Sequence, residues 1–117
     1  ITEKNADKIK ASIILELANE PTTEKADEIL FKKWITVIPD ILANSGWVIV
    51  SYFEQVQNSM NYYWKLSEVE EKLFEKITYA ANLVFETANN YNTFLRTWAY
   101  IVAMKRIFDA MKDKWEL

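Results

Sequence analysis

Four glutamates, Glu68, Glu70, Glu71 and Glu75, cluster in one short stretch of this 117-residue sequence. A pair of carboxyl groups can hydrolyse a glycosidic bond when one is a general acid and the other a nucleophile or base. That chemistry needs a cleft and a pocket that raises one pKa, and the neighbouring residues indicate neither. Acidic residues are also favoured in the first turn of a helix, where they face the positive end of its dipole. The pattern therefore favours a structural role for the four glutamates.

Most other catalytic chemistry is disfavoured by composition. The sequence has no His, no Cys and a single Gly. It thus lacks the commonest general base and metal ligand, and it has no thiol nucleophile. A phosphate-binding loop needs several glycines. We predict no catalytic residue, no cofactor site and no metal site, and that the protein is not an enzyme.

Two arginines are candidates for contact with nucleic acid. Arg96 and Arg106 share a predicted helix face with Ala99 and Ala103, where two guanidinium groups could follow a phosphate backbone. The net charge of −3 argues against binding by bulk charge. The alternative is a solvated face on which the arginines pair with nearby aspartates.

Aromatic side chains are the feature of the sequence that most strongly indicates a function. There are five Trp, six Tyr and six Phe. Tyr62, Tyr63 and Trp64 are consecutive, and consecutive helical positions are about 100° apart, so the three rings cannot all face one core. Tyr and Trp are also enriched in protein interfaces. We predict self-association through apolar helix faces; the alternative is a well-filled monomer core with a few exposed rings. The predicted interface residues are Trp47, Val48, Tyr52, Tyr62, Trp64, Tyr100 and Trp115.

Helical spacing dominates the first 42 residues. Ala6, Ile9, Ile13 and Leu17 recur at steps of three and four, which predicts a first helix capped by Thr2. Thr22 or Thr23 is expected to cap a second. Its apolar pattern runs on from Leu30 past Pro39, which predicts either a kinked helix or a stop and restart with Asp40 as the cap. A β-hairpin over residues 34–53 is the alternative.

Three further helices are predicted along the rest of the chain. Ile49 to Tyr63 form a heptad-like stripe, Ser67–Glu70 match a capping box, and Phe94 to Trp115 carry a long apolar stripe. The fold prediction is an all-α, antiparallel bundle of four to five helices with a kink near Pro39, in one domain over residues 1–117. The longest uncharged run, 41–53, is shorter than the roughly 20 residues of a membrane-spanning helix.

Three segments resemble the major coat proteins of tailed, spindle-shaped archaeal viruses: "ADKIKASIILELAN", "WITVIPDILANSGWVIVSYF" and "YNTFLRTWAYIVAMKRIFDAMKDKW". The resemblance implies a capsid subunit that packs in helical strands around a DNA-containing interior and is located in the virion. We therefore predict a non-enzymatic structural subunit that binds other copies of itself. The alternative is a small dimeric, cytoplasmic regulator that binds nucleic acid or a partner protein.

Overall fold

The structure, a computed structural model, describes residues 1–91 and 93–115, except for the side chain of Trp115. In chain order it has a 3-10 helix Ala6–Lys8, strand β1 Ile13–Leu15, helix α1 Glu24–Lys32, strand β2 Thr36–Ile38, and helices α2 Asp40–Ala43, α3 Ser45–Met60, α4 Leu66–Tyr91 and α5 Leu95–Trp115. No helix within the described ranges combines the length and the apolar character that a membrane crossing requires.

A short parallel sheet makes the all-α prediction wrong. β1 and β2 pair with Ile14 opposite Val37, and α1 connects them, so the first forty residues form a β–α–β unit. The predicted first helix over this region is absent, although its spacing was helical. Apolar steps of three and four fit a helix, but the consecutive β-branched Ile13 and Ile14 also suit a strand. Pairing with β2, which is distant in sequence, decides between the two.

The end of α1 explains why no continuous helix runs to Pro39. Thr23, one of the two predicted capping residues, caps the helix, and its hydroxyl accepts a hydrogen bond from the amide of Ala26. At the other end, the amide of Ile35 donates to the carbonyl of Leu30, and Trp34 adopts a left-handed conformation with φ of 59°. This is a Schellman motif with Trp34 at the position usually occupied by Gly. Because no Gly occupies this position, the sequence does not indicate where α1 ends.

Pro39 separates β2 from α2 instead of kinking a helix. Its ψ of 153° is extended, and Asp40 is the first helical residue. The predicted kink is therefore wrong. The alternative of a restart describes the chain better, although the capping position belongs to Pro39 and not to Asp40. The alternative of a β-hairpin is wrong as well, because β2 pairs in parallel with β1.

The three long helices α3, α4 and α5 lie where the apolar stripes predicted them. α4 begins at Leu66, and the amide of Lys65 donates to the Glu68 carboxylate at 2.8 Å, so the helix starts before the Ser67–Glu70 capping box predicted for it. Two apolar clusters hold the fold together. Ala6, Ala26, Leu30 and Ile35 form one cluster between α1 and the two strands, against which Ile14 and Val37 also pack. Leu42, Val84 and Ala99 join α2, α4 and α5.

Candidate functional site

A charge cluster around Arg96 joins four segments of the chain. The guanidinium donates to Glu16 Oε1 at 2.7 Å, to Asp27 Oδ2 at 2.5 Å and to Asp40 Oδ1 at 3.1 Å. Glu16 follows β1, Asp27 lies in α1, Asp40 begins α2, and Arg96 lies in the first turn of α5. The cluster therefore fixes α5 against the carboxyl ends of both strands.

Backbone amides complete the cluster. The amide of Asp40 donates to Glu16 Oε2 at 2.9 Å, and the amide of Glu20 donates to Asp40 Oδ2 at 2.7 Å. These two bonds attach the loop after β1 to the start of α2. Carboxylates that accept charged and backbone donors together form stronger hydrogen bonds than neutral pairs. The two loops that leave the sheet are thus held in one arrangement.

Burial and hydrogen bonding shift the pKa values of Glu16 and Arg96 in opposite directions. Burial by itself would raise the pKa of Glu16, but hydrogen bonds from Arg96 and from the amide of Asp40 outweigh it and hold the pKa below its ordinary value. Burial would lower the pKa of Arg96, and its bonds to Asp27 and Glu16 raise it overall. The native state therefore favours the ionised forms of both groups.

We expect acid to weaken the native state through Glu16. Its pKa is lowered on folding, so its stabilising contribution is present above the ordinary value of 4.5 and is lost as pH falls through the lowered native pKa. Urea unfolding across the acid range should show this loss. In Glu16→Gln the pH dependence should flatten, whereas Glu75→Gln, an exposed control on α4, should keep the parental slope. Equal slopes in all three proteins would contradict the assignment.

The carboxyl edge of the two strands brings two amide side chains together. Asn19 follows β1 and Asn44 follows the short helix α2, and the Asn44 side chain donates to Asn19 Oδ1 at 3.1 Å. In open sheets with parallel strands, ligands bind outside the carboxyl ends of the strands. Amides both donate and accept, so this edge can bind and orient a polar ligand.

The structure places most of the predicted interface residues at the surface. Trp47, Val48, Tyr52, Tyr62 and Tyr100 are exposed, Trp47 to 82%. Trp64 is different: its ring packs edge-on against Phe53 at 5.5 Å, and Lys72 Nζ lies 5.0 Å from its centroid. The Trp115 side chain lies outside the described residues. Whether these residues contact another subunit stays a prediction.

Arg96 and Arg106 have different surroundings. Arg96 donates to three carboxylates and is 19% exposed, so its charge is already engaged inside the protein. Arg106 lies over the ring of Tyr79, with 5.5 Å between its Cζ atom and the ring centroid. The nucleic-acid contact predicted for them stays a prediction.

Sequence reasoning missed the three acidic partners of Arg96. A strand assignment for residues 13–15 and 36–38 would have revealed two of them, because residues that follow parallel strands meet at one edge. The helical interpretation placed Glu16 and Asp40 in two different predicted helices and concealed their proximity.

Comparison with known proteins shows a family relationship over almost the whole chain. Residues 1–114 match the family model described as Glutamate/Leucine/Phenylalanine/Valine dehydrogenase. The NAD-specific glutamate dehydrogenase of Staphylococcus aureus strain COL is 48% identical over 112 residues, which are 96% of this chain and 27% of that protein. The chain thus spans about a quarter of the length of the curated relatives it matches.

Solved structures show the same relationship. Glutamate dehydrogenase from Peptoniphilus asaccharolyticus superimposes with a TM-score of 0.91 at 44% identity, over 100% of this chain and 30% of that one. The hetero-hexameric glutamate dehydrogenase from Thermus thermophilus, in its Leu-bound form, gives a TM-score of 0.88 at 26% identity. It covers 97% of this chain and 27% of that one.

These relatives overturn the functional predictions. The resemblance to archaeal viral coat proteins is wrong, and so are the capsid function, the virion location and the alternative of a nucleic-acid regulator. The prediction of a non-enzyme is wrong as well, because the relatives are dehydrogenases. The resemblance rested on helical segments with many Ile, Lys and Asn residues, and such segments contain no motif that distinguishes a coat protein from a dehydrogenase. The match of residues 1–114 and the 48% identity establish that this chain belongs to the Glutamate/Leucine/Phenylalanine/Valine dehydrogenase family.

Proposed function

We propose that this chain is part of an NAD-dependent glutamate dehydrogenase and forms one wall of its substrate cleft. The observation that carries the proposal is the 48% identity to the NAD-specific enzyme over 96% of the chain. The carboxyl edge of β1 and β2, with Asn19 and Asn44, supports it because open sheets with parallel strands bind ligands at this edge.

The residues of this chain do not fit the pyrophosphate of NAD. A dinucleotide-binding turn needs several glycines between a strand and a helix. This sequence has one, Gly46, which lies inside α3 with the side chain of Ile77 3.4 Å from where its Cβ would be. The role proposed for this chain is therefore to bind and orient a polar group of the substrate through the two amides.

In this proposal Arg96 is a positioning residue. It bonds to Glu16, three residues before Asn19, and to Asp40, four residues before Asn44. The loop and the helix that carry the amides are thereby fixed to α5. Positioning of this kind matters because a displacement of about 1 Å can lower a rate by about 100-fold.

The activity can be tested by exchange with a relative. The chain replaces the matching segment of the S. aureus enzyme, and formation of the reduced cofactor is followed with L-glutamate, with leucine, phenylalanine or valine, and with NADP in place of NAD. We expect activity with glutamate and NAD. A chimera with the circular dichroism and size of the parent enzyme but no NADH formation would contradict the proposal. Preference for another amino acid would reject glutamate as the substrate.

The two amides have a specific expected effect in the same chimera. Asn44→Ala or Asn19→Ala should lower kcat/KM about tenfold or more, because each removes a hydrogen-bonding group from the proposed cleft. Asn82→Ala, at an exposed position of α4, is the matched control and should leave kcat/KM unchanged. Equal kinetics in all of these variants would exclude a role for the carboxyl edge in substrate binding.

We also propose that the exposed aromatic surface of α3 contacts other subunits. Trp47, Val48 and Tyr52 are all more than half exposed, which is unusual for large apolar side chains in a protein that stays monomeric. The name of the T. thermophilus relative describes a hetero-hexamer, which supports assembly in this family. Sedimentation of the same chimera with Trp47→Ser should show smaller assemblies than the parent. An unchanged distribution would reject this contact.

A further inference from the structure

A cleft of about 260 Å³ separates α1 and the start of β2 from the facing ends of α4 and α5. Phe31 and Phe94 line it with ring centroids 4.7 Å apart and planes tilted by 44°. Trp34, Val37 and Phe85 add further apolar surface. Concave, aromatic-lined surfaces with a few polar groups are typical of small-molecule sites.

This cleft adjoins the carboxyl edge of the sheet at Arg96 but does not include the two amides of that edge. Thr36 and Val37, the first residues of β2, line the cleft, whereas Asn44 lies beyond the opposite end of that strand. Neither Asn19 nor Asn44 lines it. A molecule bound here would therefore lie in a different position from a substrate bound at the two amides.

The charge cluster that adjoins the cleft is negative as a whole. Asp27 and Arg96 line the cleft, and Arg96 also contacts Glu16 and Asp40. Three carboxylates against one guanidinium leave an excess of two negative charges. Such a surface attracts a cation and repels an anion.

Asp27 is the carboxylate that can accept a further hydrogen bond. It is 8% exposed, and each of its oxygens accepts one bond from Arg96. Glu16 and Asp40 also accept from backbone amides, whereas no such bond to Asp27 occurs within the described ranges. A carboxylate has about four acceptor positions, so Asp27 has capacity left for a donor in the cleft.

We propose that this cleft binds a small primary amine carried on a single aromatic ring, with the ammonium group at Asp27 and the ring against Phe31 and Phe94. The volume of about 260 Å³ is smaller than that of most drug-binding pockets and limits the ligand to roughly one ring. The aromatic walls favour a flat apolar body, and the excess of carboxylates favours a cationic group.

Three probes of matched shape test the charge requirement: phenethylamine, 2-phenylethanol and phenylacetate. Each is titrated into the full chain while backbone amide shifts are followed by NMR. We expect the amine to bind about tenfold or more tightly than the alcohol, with the acid weakest, and the shifts to be confined to residues that line the cleft. Equal binding of the three probes, no saturation at millimolar concentration, or shifts elsewhere would overturn the proposal.

Two variants test the location. Phe31→Leu removes an aromatic wall at a residue that is 38% exposed, so the fold should tolerate it, and affinity for the amine should fall severalfold. Phe74→Leu is the matched control, because Phe74 is exposed on α4 and does not line the cleft. Equal affinity in the two variants would reject this cleft as the binding site.

Discussion

Replacement of Arg96 by methionine is expected to destabilise the protein by about 3 kcal/mol, at the lower end of the range for breaking a buried ion pair. The substitution leaves the Glu16 carboxylate, whose side chain is 1% exposed, beside those of Asp27 and Asp40 with no cation between them. The guanidinium itself is 19% exposed, and solvent screening at that exposure is the reason for the lower figure.

The pH dependence gives this prediction a specific signature. Without the guanidinium, its hydrogen bond no longer offsets burial, and burial raises the pKa of Glu16 in the native state. Stability of Arg96→Met should then increase as pH falls, which is the opposite of the parental behaviour expected from the lowered pKa of Glu16. Urea unfolding from neutral to acid pH measures both slopes.

Arg106→Met is the matched control for the loss of a guanidinium. Arg106 is exposed on α5 and packs over Tyr79, so we expect a loss of about 1 kcal/mol at most. Arg96→Lys should fall between the two, because one ammonium group cannot reproduce the planar fork that reaches three carboxylates. Equal losses for Arg96→Met and Arg106→Met would contradict the assigned role of the cluster.

Leu30→Ala is expected to cost about 2–5 kcal/mol, the range for deletion of a fully buried leucine. Leu30 is 0% exposed in the cluster with Ala6, Ala26 and Ile35. Two of these neighbours are alanines, whose short side chains cannot move to fill the space. The cavity should therefore persist and place the loss in the upper half of the range.

Leu17→Ala supplies the comparison for Leu30→Ala. Leu17 is 71% exposed after β1, so the same chemical change should alter the free energy of unfolding by no more than about 0.5 kcal/mol. Both variants can be measured by urea unfolding at neutral pH. If Leu30→Ala lowered the free energy of unfolding by less than Leu17→Ala, the β–α–β unit would not depend on this cluster for stability.

The sequence by itself determined the helices that carry a long amphipathic stripe. Apolar residues recur at helical spacing along most of α3, α4 and α5, whereas the misleading pattern from Ala6 to Leu17 covers only about three turns, and a longer local pattern is a stronger indication of a helix. The cap of α1 was narrowed to Thr22 or Thr23 for the same reason, since a cap depends on residues within one turn. The sequence also indicated that some aromatic residues of α3 and α5 lie outside the core, because their number exceeds what a small core can enclose.

Tertiary structure alone decided the β–α–β unit and the charge cluster. Residues 13–15 and 36–38 are too short for their periodicity to distinguish strand from helix, and each becomes a strand because the other supplies its hydrogen bonds. Arg96 meets Glu16 across 80 positions and Asp40 across 56, so no spacing in the sequence marks them as partners. Local patterns fix local conformation, whereas pairing between distant segments depends on how the whole chain packs.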